Sequence, residues 1–461
     1  MVATRAGLLV VLVALTAMTG CSTSTSPSPS SAATDDSAEP SASASATSPQ
    51  TGSLVIIGRI LTMDEPPVAE AMFIENGTVT AVGTRDEVLV LAGDQAPVLD
   101  IGSSVAYPGF IDAHAHWIGD RDYYGLASAA EAMSAAATRG WTSISEQWID
   151  PEKLDLLLGL AADDAMPIRV DAYLALNFDK EFLGDWYVSR EPGPVDDRLR
   201  VRGLKIHLDD GGGNIVNWER EDVTATIGRA DEAGWQVSVH AMSTGAVDIL
   251  LDAYEAAIGP TGPNPLHHRV EHAIQVTNQQ LARLVAMDIA TVIHLDGEPD
   301  WVLWDGLLTE LDRDDPDQMD EIARFRDFVD AGLHVASATD APWTFPDFNL
   351  TEDMGRPVDQ IAAGMDGRVR TGSETTPPWM LDQLLTAKQG LRAVTLDAAW
   401  ALGDEARRGH LAPGMLGDVT ILSGDVLDAT PDEIRAMTVI ATIVGGIPVY
   451  CADTEVCQPT D

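Results

Sequence analysis

Tyr107-Pro108-Gly109-Phe110-Ile111-Asp112-Ala113-His114-Ala115-His116-Trp117 is the stretch whose reading decides the fold. An apolar, β-like run ends on two histidines spaced two apart, and in a strand such residues share a face. Alone, this spacing fits two metal ligands or two hydrogen-bonded core histidines, because imidazole serves both purposes. Working outward, four more runs end on a residue that an apolar strand does not ordinarily carry. They are Lys205 in Gly203-Leu204-Lys205-Ile206-His207-Leu208-Asp209, His240 in Val237-Ser238-Val239-His240-Ala241, His272 in His268-Arg269-Val270-Glu271-His272-Ala273, and Asp340 in Ala338-Thr339-Asp340-Ala341-Pro342.

Runs of this kind alternate with helical stretches, the pattern of repeated βα units and a parallel barrel. Eight strands are expected, over residues 109–116, 142–147, 168–174, 203–208, 236–240, 268–272, 290–294 and 334–339. Eight closes a (β/α)8 barrel of the TIM type, and the unusual residues then gather at its C-terminal mouth, where such barrels carry their sites. Short strands with turns occupy both flanks, with Asn76-Gly77 marking a tight hairpin. The fold class is therefore α/β, a barrel at residues 107–407 with a small β-sandwich built from both ends of the mature chain, 53–106 plus 408–461.

Gathered at one mouth, the histidines read as metal ligands rather than as separate buried imidazoles, each needing its own partner. Asp340 can bind a divalent ion and also take a proton from water that the ion has acidified. Lys205 is one of only four lysines, and the only one inside an apolar strand. Burial lowers an amine's pKa, so the neutral form becomes available, and carbamylation by carbon dioxide is one outcome. A snorkelling lysine paired with Asp209 or Asp210 is the other. His207 and His294 stand near enough to reach substrate or the surroundings of the metal, with a buried structural role equally open. His268, His334 and His410 read as structural. Trp117, Trp301, Trp304 and Trp343 follow strand ends and suit either a pocket wall or packing.

Bulk properties narrow the partners. The chain has 461 residues, and its 28 Lys+Arg against 72 Asp+Glu leave a net charge of −44. This excess repels nucleic acid and anionic membrane surfaces and disfavours polyanionic substrates. Residues 1–20 carry Arg5 ahead of a short apolar core, the pattern of a secretory signal. Gly20-Cys21 behind small residues resembles a bacterial lipobox, which implies a lipid on Cys21 and an extracytoplasmic, membrane-anchored protein. Residues 21–52 are rich in Ser, Thr, Pro and Ala and read as a disordered tether. Export makes a disulfide between Cys451 and Cys457 plausible. Oligomeric state is not readable.

The chain resembles the amidohydrolase superfamily and, within it, amidohydrolase family 3, the branch containing N-substituted formamide deformylases. The resemblance rests on the run from Gly58 to Gly83, on Pro108 to His116, on Arg269-Val270-Glu271-His272-Ala273 and on the run from Ala398 to Leu422. It implies His114 and His116 on a first metal, Lys205 as a carbamylated bridge, His240 and His272 on a second, and Asp340 as ligand and proton shuttle, with zinc, one ion or two, as the cofactor. The implied reaction is cleavage of a C–N bond in a small amide, formamide or cyclic amide by metal-bound hydroxide. Two loops depart from the family: His240-Ala241-Met242-Ser243-Thr244-Gly245-Ala246 stands for His-x-x-Gly-Asp-x-Ala, and Asp209-Asp210-Gly211-Gly212-Gly213-Asn214 for Asp-Gly-Ser-Leu-Gly. The rival readings are a non-catalytic metal- or solute-binding surface lipoprotein and a metallo-esterase on the same barrel.

Overall fold

The computed structural model describes residues 52–178, 180–209, 216–303, 315–344, 354–368, 376–453 and 457. The expectations for the signal segment, Cys21 and the tether, and those for Asp210, Gly211 to Asn214 and Trp304, lie outside these residues.

All eight expected barrel strands are present, at Phe110–Ala115, Trp141–Ile149, Arg169–Ala175, Leu199–His207, Gln236–Ala241, Arg269–His272, Ala290–Ile293 and Val335–Ser337. Neighbours in this order pair in parallel, so the sheet follows the sequence from first to eighth strand. The ring is nearly closed by the turn after the eighth strand, where Asp340 N–H donates to His114 O at 2.9 Å and His116 N–H to Ala341 O at 2.9 Å. Asp112 stitches the same seam, accepting from Thr339 N at 2.9 Å and Thr339 Oγ1 at 2.6 Å.

Helices cover the outside because their apolar stripes need the sheet. Thr244–Ile258 buries Ala246, Val247, Leu250, Leu251 and Tyr254, and starts where Ser243 accepts from Ala246 N. That cap satisfies one of the orphaned amides of the first turn. Asn278–Met287 is opened by a capping box of Thr277 and Gln280. Among the described residues no helix is long and apolar enough to cross a membrane.

The second layer is one seven-stranded sheet drawn from both flanks of the barrel, ordered Ile447–Cys451, Val439–Val444, Val419–Leu422, Val98–Pro108, Leu54–Leu61, Val68–Glu75 and Thr78–Gly83. All its pairs are antiparallel except Leu54–Leu61 with Val98–Pro108. It folds into a small sandwich in which Leu54, Ile56, Met72 and Ile74 pack with Val419, Ile421, Ala441 and Ile443, while the alternate residues Val55, Ile57, Ala71 and Phe73 form a second cluster with Val88. The Asn76-Gly77 hairpin is as expected, both residues having positive φ (51° and 81°). Val98–Pro108 leads straight into the first barrel strand, Phe110–Ala115. Cys451 and Cys457 are joined in a disulfide.

The sandwich is tied to the N-terminal end of the barrel by buried ion pairs. Arg169 reaches Asp418 at 2.7 Å, and Arg408 reaches Asp171 at 2.7 Å and Asp404 at 2.5 Å. These bonds leave the opposite mouth to carry the chemistry.

Candidate functional site

The structure brings the six residues singled out in the sequence to that mouth. His114, His116, Lys205, His272 and Asp340 are each no more than 5% exposed and His240 is 8% exposed. One oxygen of Asp340, Oδ1, lies 3.3 Å from His114 Nε2 and 3.2 Å from His116 Nε2. The ring of His272 stands 5.1 Å from that of His114 and 4.4 Å from that of His240. Lys205 Nζ is buried and has no hydrogen-bond partner among the described residues. Its pairing with Asp209 does not occur, since Asp209 instead accepts from the amides of Met242 and Ser243 and lies 3.3 Å from His240 Nε2.

Two of these residues reach the site through unusual backbone. His272 has φ 71° and Asp340 φ 47°, and Trp148, whose ring lies 4.9 Å from that of His116, has φ 56°. Left-handed φ at bulky residues is costly and is held by its surroundings, typically at functional sites.

The electrostatics suit cation binding. Burial pushes His116 and His272 below the ordinary imidazole value, His240 down to about 3 and His294 to about 4, so these rings are neutral, as a ligand must be. Burial lowers Lys205 to about 8. Burial would raise Asp340, but its close contacts with His114 and His116 outweigh it and hold the carboxyl well below its usual range. A cluster of lone pairs, one carboxylate and an unpartnered amine fits a divalent ion. Two sets of buried donors have ligand atoms within 4.8 Å of one another, His114 with His116 and Asp340, and His114 with His272 and His294. His240 belongs to neither.

Several residues at the site were not singled out from the sequence. Glu271 Oε2 accepts a hydrogen bond from His114 Nδ1–H at 2.6 Å, which leaves Nε2 facing Asp340. Its other oxygen pairs with Arg269 Nε at 2.7 Å and accepts from Ser238 Oγ at 2.7 Å. The available signal was a carboxylate in an apolar strand two residues after an arginine, hence on the same face. Asp120 stands 3.7 Å from His116 Nδ1 and accepts from Trp343 Nε1 at 3.2 Å.

His207 lies beside the site, its ring 4.2 Å from that of His240. His268 and His334 are at the opposite end, against Asp231 and Asp397, and His410 is 3.8 Å from Asp64. Trp117 is packing rather than pocket wall: it is fully buried, donates to Asp112 Oδ2 at 2.9 Å and stacks on Tyr124. Trp343 is 37% exposed at the mouth. Trp301 has no described side chain.

Glu146, on the second strand, accepts from the amides of Ile118 and Gly119 at 3.0 and 2.6 Å and so holds the loop after His116. Burial raises its carboxyl from the ordinary 4.5 to about 8. The folded protein then keeps a proton that the unfolded chain releases, so this group's stability contribution is full below pH 4.5 and is lost as pH rises through about 8. Glu146→Gln is expected to flatten the decline of the urea midpoint between pH 5 and pH 8, a window set by those two values. A decline as steep as in the wild type would show that Glu146 does not carry it.

Comparison with known proteins bears on the family and the fold. N-substituted formamide deformylase of Arthrobacter pascens is 26% identical over 259 residues, 56% of this chain and 43% of that enzyme. The putative amidohydrolase YtcJ of Bacillus subtilis matches to the same extent. The chain thus spans less than half the length of these curated relatives. An uncharacterized metal-dependent hydrolase of Pyrococcus horikoshii superposes with a TM-score of 0.67 at 16% identity, covering 83% of this chain and 99% of that one. Atrazine chlorohydrolase of Arthrobacter aurescens, complexed with zinc, gives 0.60 at 16% identity, covering 87% and 97%. Residues 121–450 match the amidohydrolase family, which takes in all but the first of the eight barrel strands, and the chain belongs to that family.

Proposed function

We propose that the protein is a metal-dependent hydrolase that cleaves the C–N bond of a small amide, formamide or cyclic amide, with zinc as its ion. The observation that carries this reading is the meeting of Asp340 Oδ1 with the Nε2 atoms of His114 and His116 within 3.3 Å, with the buried Lys205 amine without a hydrogen-bond partner among the described residues. A solute-binding barrel has no need of a carboxylate held at that point. Imidazole and carboxylate donors suit zinc, and relatives named as amidohydrolase and formamide deformylase support the C–N bond.

His114, His116 and Asp340 would hold one ion, with Lys205 and further histidines beside it. A divalent ion bound there makes water nucleophilic near neutral pH and polarises the scissile carbonyl. Asp340 accepts the proton that the attacking water loses and returns it to the departing amine. Glu271 keeps His114 in the tautomer that presents Nε2. Lys205, lowered to about 8 by burial, would offer a neutral amine that carbon dioxide could convert, with loss of a proton, to a carbamate, an anionic donor for the ion. Trp148 and Trp343 wall the mouth. A lipid on Cys21 would place the enzyme outside the cytoplasm, a location that the Cys451–Cys457 disulfide supports.

The test is removal of metal with a strong chelator, then addition of zinc with and without bicarbonate, across amide, formamide, cyclic imide and ester substrates. Hydrolysis of a C–N substrate should vanish with the metal and return with zinc, most fully with bicarbonate. Activity that persists in protein shown by elemental analysis to be metal-free would overturn the reading, and hydrolysis confined to esters would redirect it to a metallo-esterase.

A further inference from the structure

Trp117 and Trp141 show how a packing indole behaves in this protein: both are fully buried, and each donates its N–H, to Asp112 Oδ2 at 2.9 Å and to Gly355 O at 2.7 Å. Four rings at the mouth are placed otherwise. Tyr123 comes from the loop after the first barrel strand, Trp148 from the end of the second, Phe178 from the segment after the third and Trp343 from the turn after the eighth. They form a chain, with ring centroids 5.4 Å apart for Tyr123 and Trp343, 6.3 Å for Trp343 and Trp148, and 5.6 Å for Trp148 and Phe178. All three separations are aromatic contacts. The chain begins in solvent, Tyr123 being 52% exposed. It ends on the site, where the Trp148 ring lies 4.9 Å from that of His116 and 5.2 Å from that of His207.

Packing alone does not account for this arrangement. Trp148 holds a left-handed φ of 56°, a cost that a ring with only a packing role has no reason to carry. Its Nε1 is buried without a hydrogen-bond partner among the described residues, although a buried indole N–H is ordinarily satisfied. Trp343 is fixed at the rim by Asp120, which accepts from its Nε1 at 3.2 Å and stands 3.7 Å from Lys153 Nζ. The same ammonium lies over the Phe178 ring at 5.7 Å, in the place a bound cation would take. Carboxylate and ammonium thus compensate each other, and what these residues offer an approaching molecule is ring surface.

We propose that this rim is the specificity subsite of the enzyme, and that its substrate carries a neutral aryl or similarly flat apolar group, which rests against Trp343 and Trp148 while the scissile amide lies beside His116 and Asp340. The inference rests on the C–N hydrolase reading and adds the substrate class to it. Small-molecule pockets hold a substituent in this way, by apolar and aromatic walls with few polar groups. A flat ring gains edge and face contacts beyond the area it buries, which an alkyl chain of similar size does not. The gain belongs to one substrate and not the other, so it is read in the ratio of their kcat/KM values.

Two matched pairs separate ring from chain on either side of the bond: N-phenethylformamide against N-hexylformamide, and phenylacetamide against valeramide. Benzyl alcohol against 1-butanol, neither of which can be hydrolysed, reads binding alone by saturation-transfer NMR on the protein as purified. Wild type should prefer the aryl member of at least one pair and bind benzyl alcohol over 1-butanol. Trp343→Ala should lower the aryl-to-alkyl ratio of kcat/KM by about 3–10-fold, the worth of one aromatic contact, and Trp343→Phe, which keeps a ring, should restore most of it. A residue that only props the loop would change both members together, so an unchanged ratio overturns the proposal, as does a wild type that prefers the alkyl member. Binding of tetramethylammonium in preference to benzyl alcohol would make the rim a cation site and overturn it as well. If Trp343→Ala does not fold, as judged by circular dichroism, Tyr123→Ala at the exposed end is read by the same ratio. Wild type that cleaves no amide yet binds benzyl alcohol, with that binding lost in Trp343→Ala, would end the hydrolase reading and keep the aromatic subsite; equal cleavage of aryl and alkyl members ends this inference alone.

Discussion

Asp340→Asn is expected to lower turnover by about 10²–10⁴-fold, the usual contribution of a general acid–base group, while most of the bound metal stays. The expectation follows from how the residue is held. Its backbone is fixed on both sides, Asp340 N–H donating to His114 O and Trp343 N–H to Asp340 O at 2.7 Å, so the left-handed turn does not depend on the carboxylate. Asparagine also tolerates positive φ. The variant therefore keeps the shape and one oxygen beside His114 and His116 but cannot take up a proton. Zinc per chain and kcat should be measured on the same sample. A variant with normal zinc and near-wild-type turnover of a confirmed substrate would show that Asp340 is not the proton shuttle.

The barrel was legible because its strands read as apolar runs, and five of the eight carry at or near their ends a residue that an apolar strand has no reason to hold. Lys205, His240 and Asp340 stood out by that contrast, and the structure brings all of them to one mouth. Glu271 and Glu146 carried the same contrast, but each lies inside its run, where alternation alone does not say which face is the site. His272 shows why alternation falls short here. In a regular strand Glu271 and His272 would point to opposite faces, yet both reach the mouth, because φ at His272 is 71° and turns the chain at the strand end. No propensity predicts a left-handed histidine or tryptophan, since the local cost is met by tertiary packing. His294 was placed near the site by its strand, but its tautomer depends on the carbonyl of Ala338, 44 residues away.

Glu271 is the residue whose loss should do most damage to the fold and the site at once. Glu271 and Arg269 are both fully buried and pair at 2.7 Å. The guanidinium sits over the Tyr173 ring at 4.5 Å and donates to Ala113 O at 3.0 Å. Burial alone would raise the Glu271 carboxyl, but Arg269, His114 and Lys205 hold it well below the usual range, so it is charged. Glu271→Ala strands the arginine in the core, and breaking a buried pair from one side costs about 3–5 kcal/mol. The same change frees His114 Nδ1 and should weaken zinc by roughly 10–100-fold, as loss of an outer partner does at other metal sites. Urea unfolding of the metal-free protein reads the first effect and zinc titration the second. The two are separable. Arg269→Met combined with Glu271→Gln removes both buried charges, so most of the lost stability should return, and the side-chain carbonyl of the introduced glutamine can still accept from His114. If the double variant regains stability and tight zinc, the arginine serves the fold and the acceptor at position 271 serves the site; if Glu271→Ala unfolds and binds zinc as the wild type does, neither role belongs to Glu271.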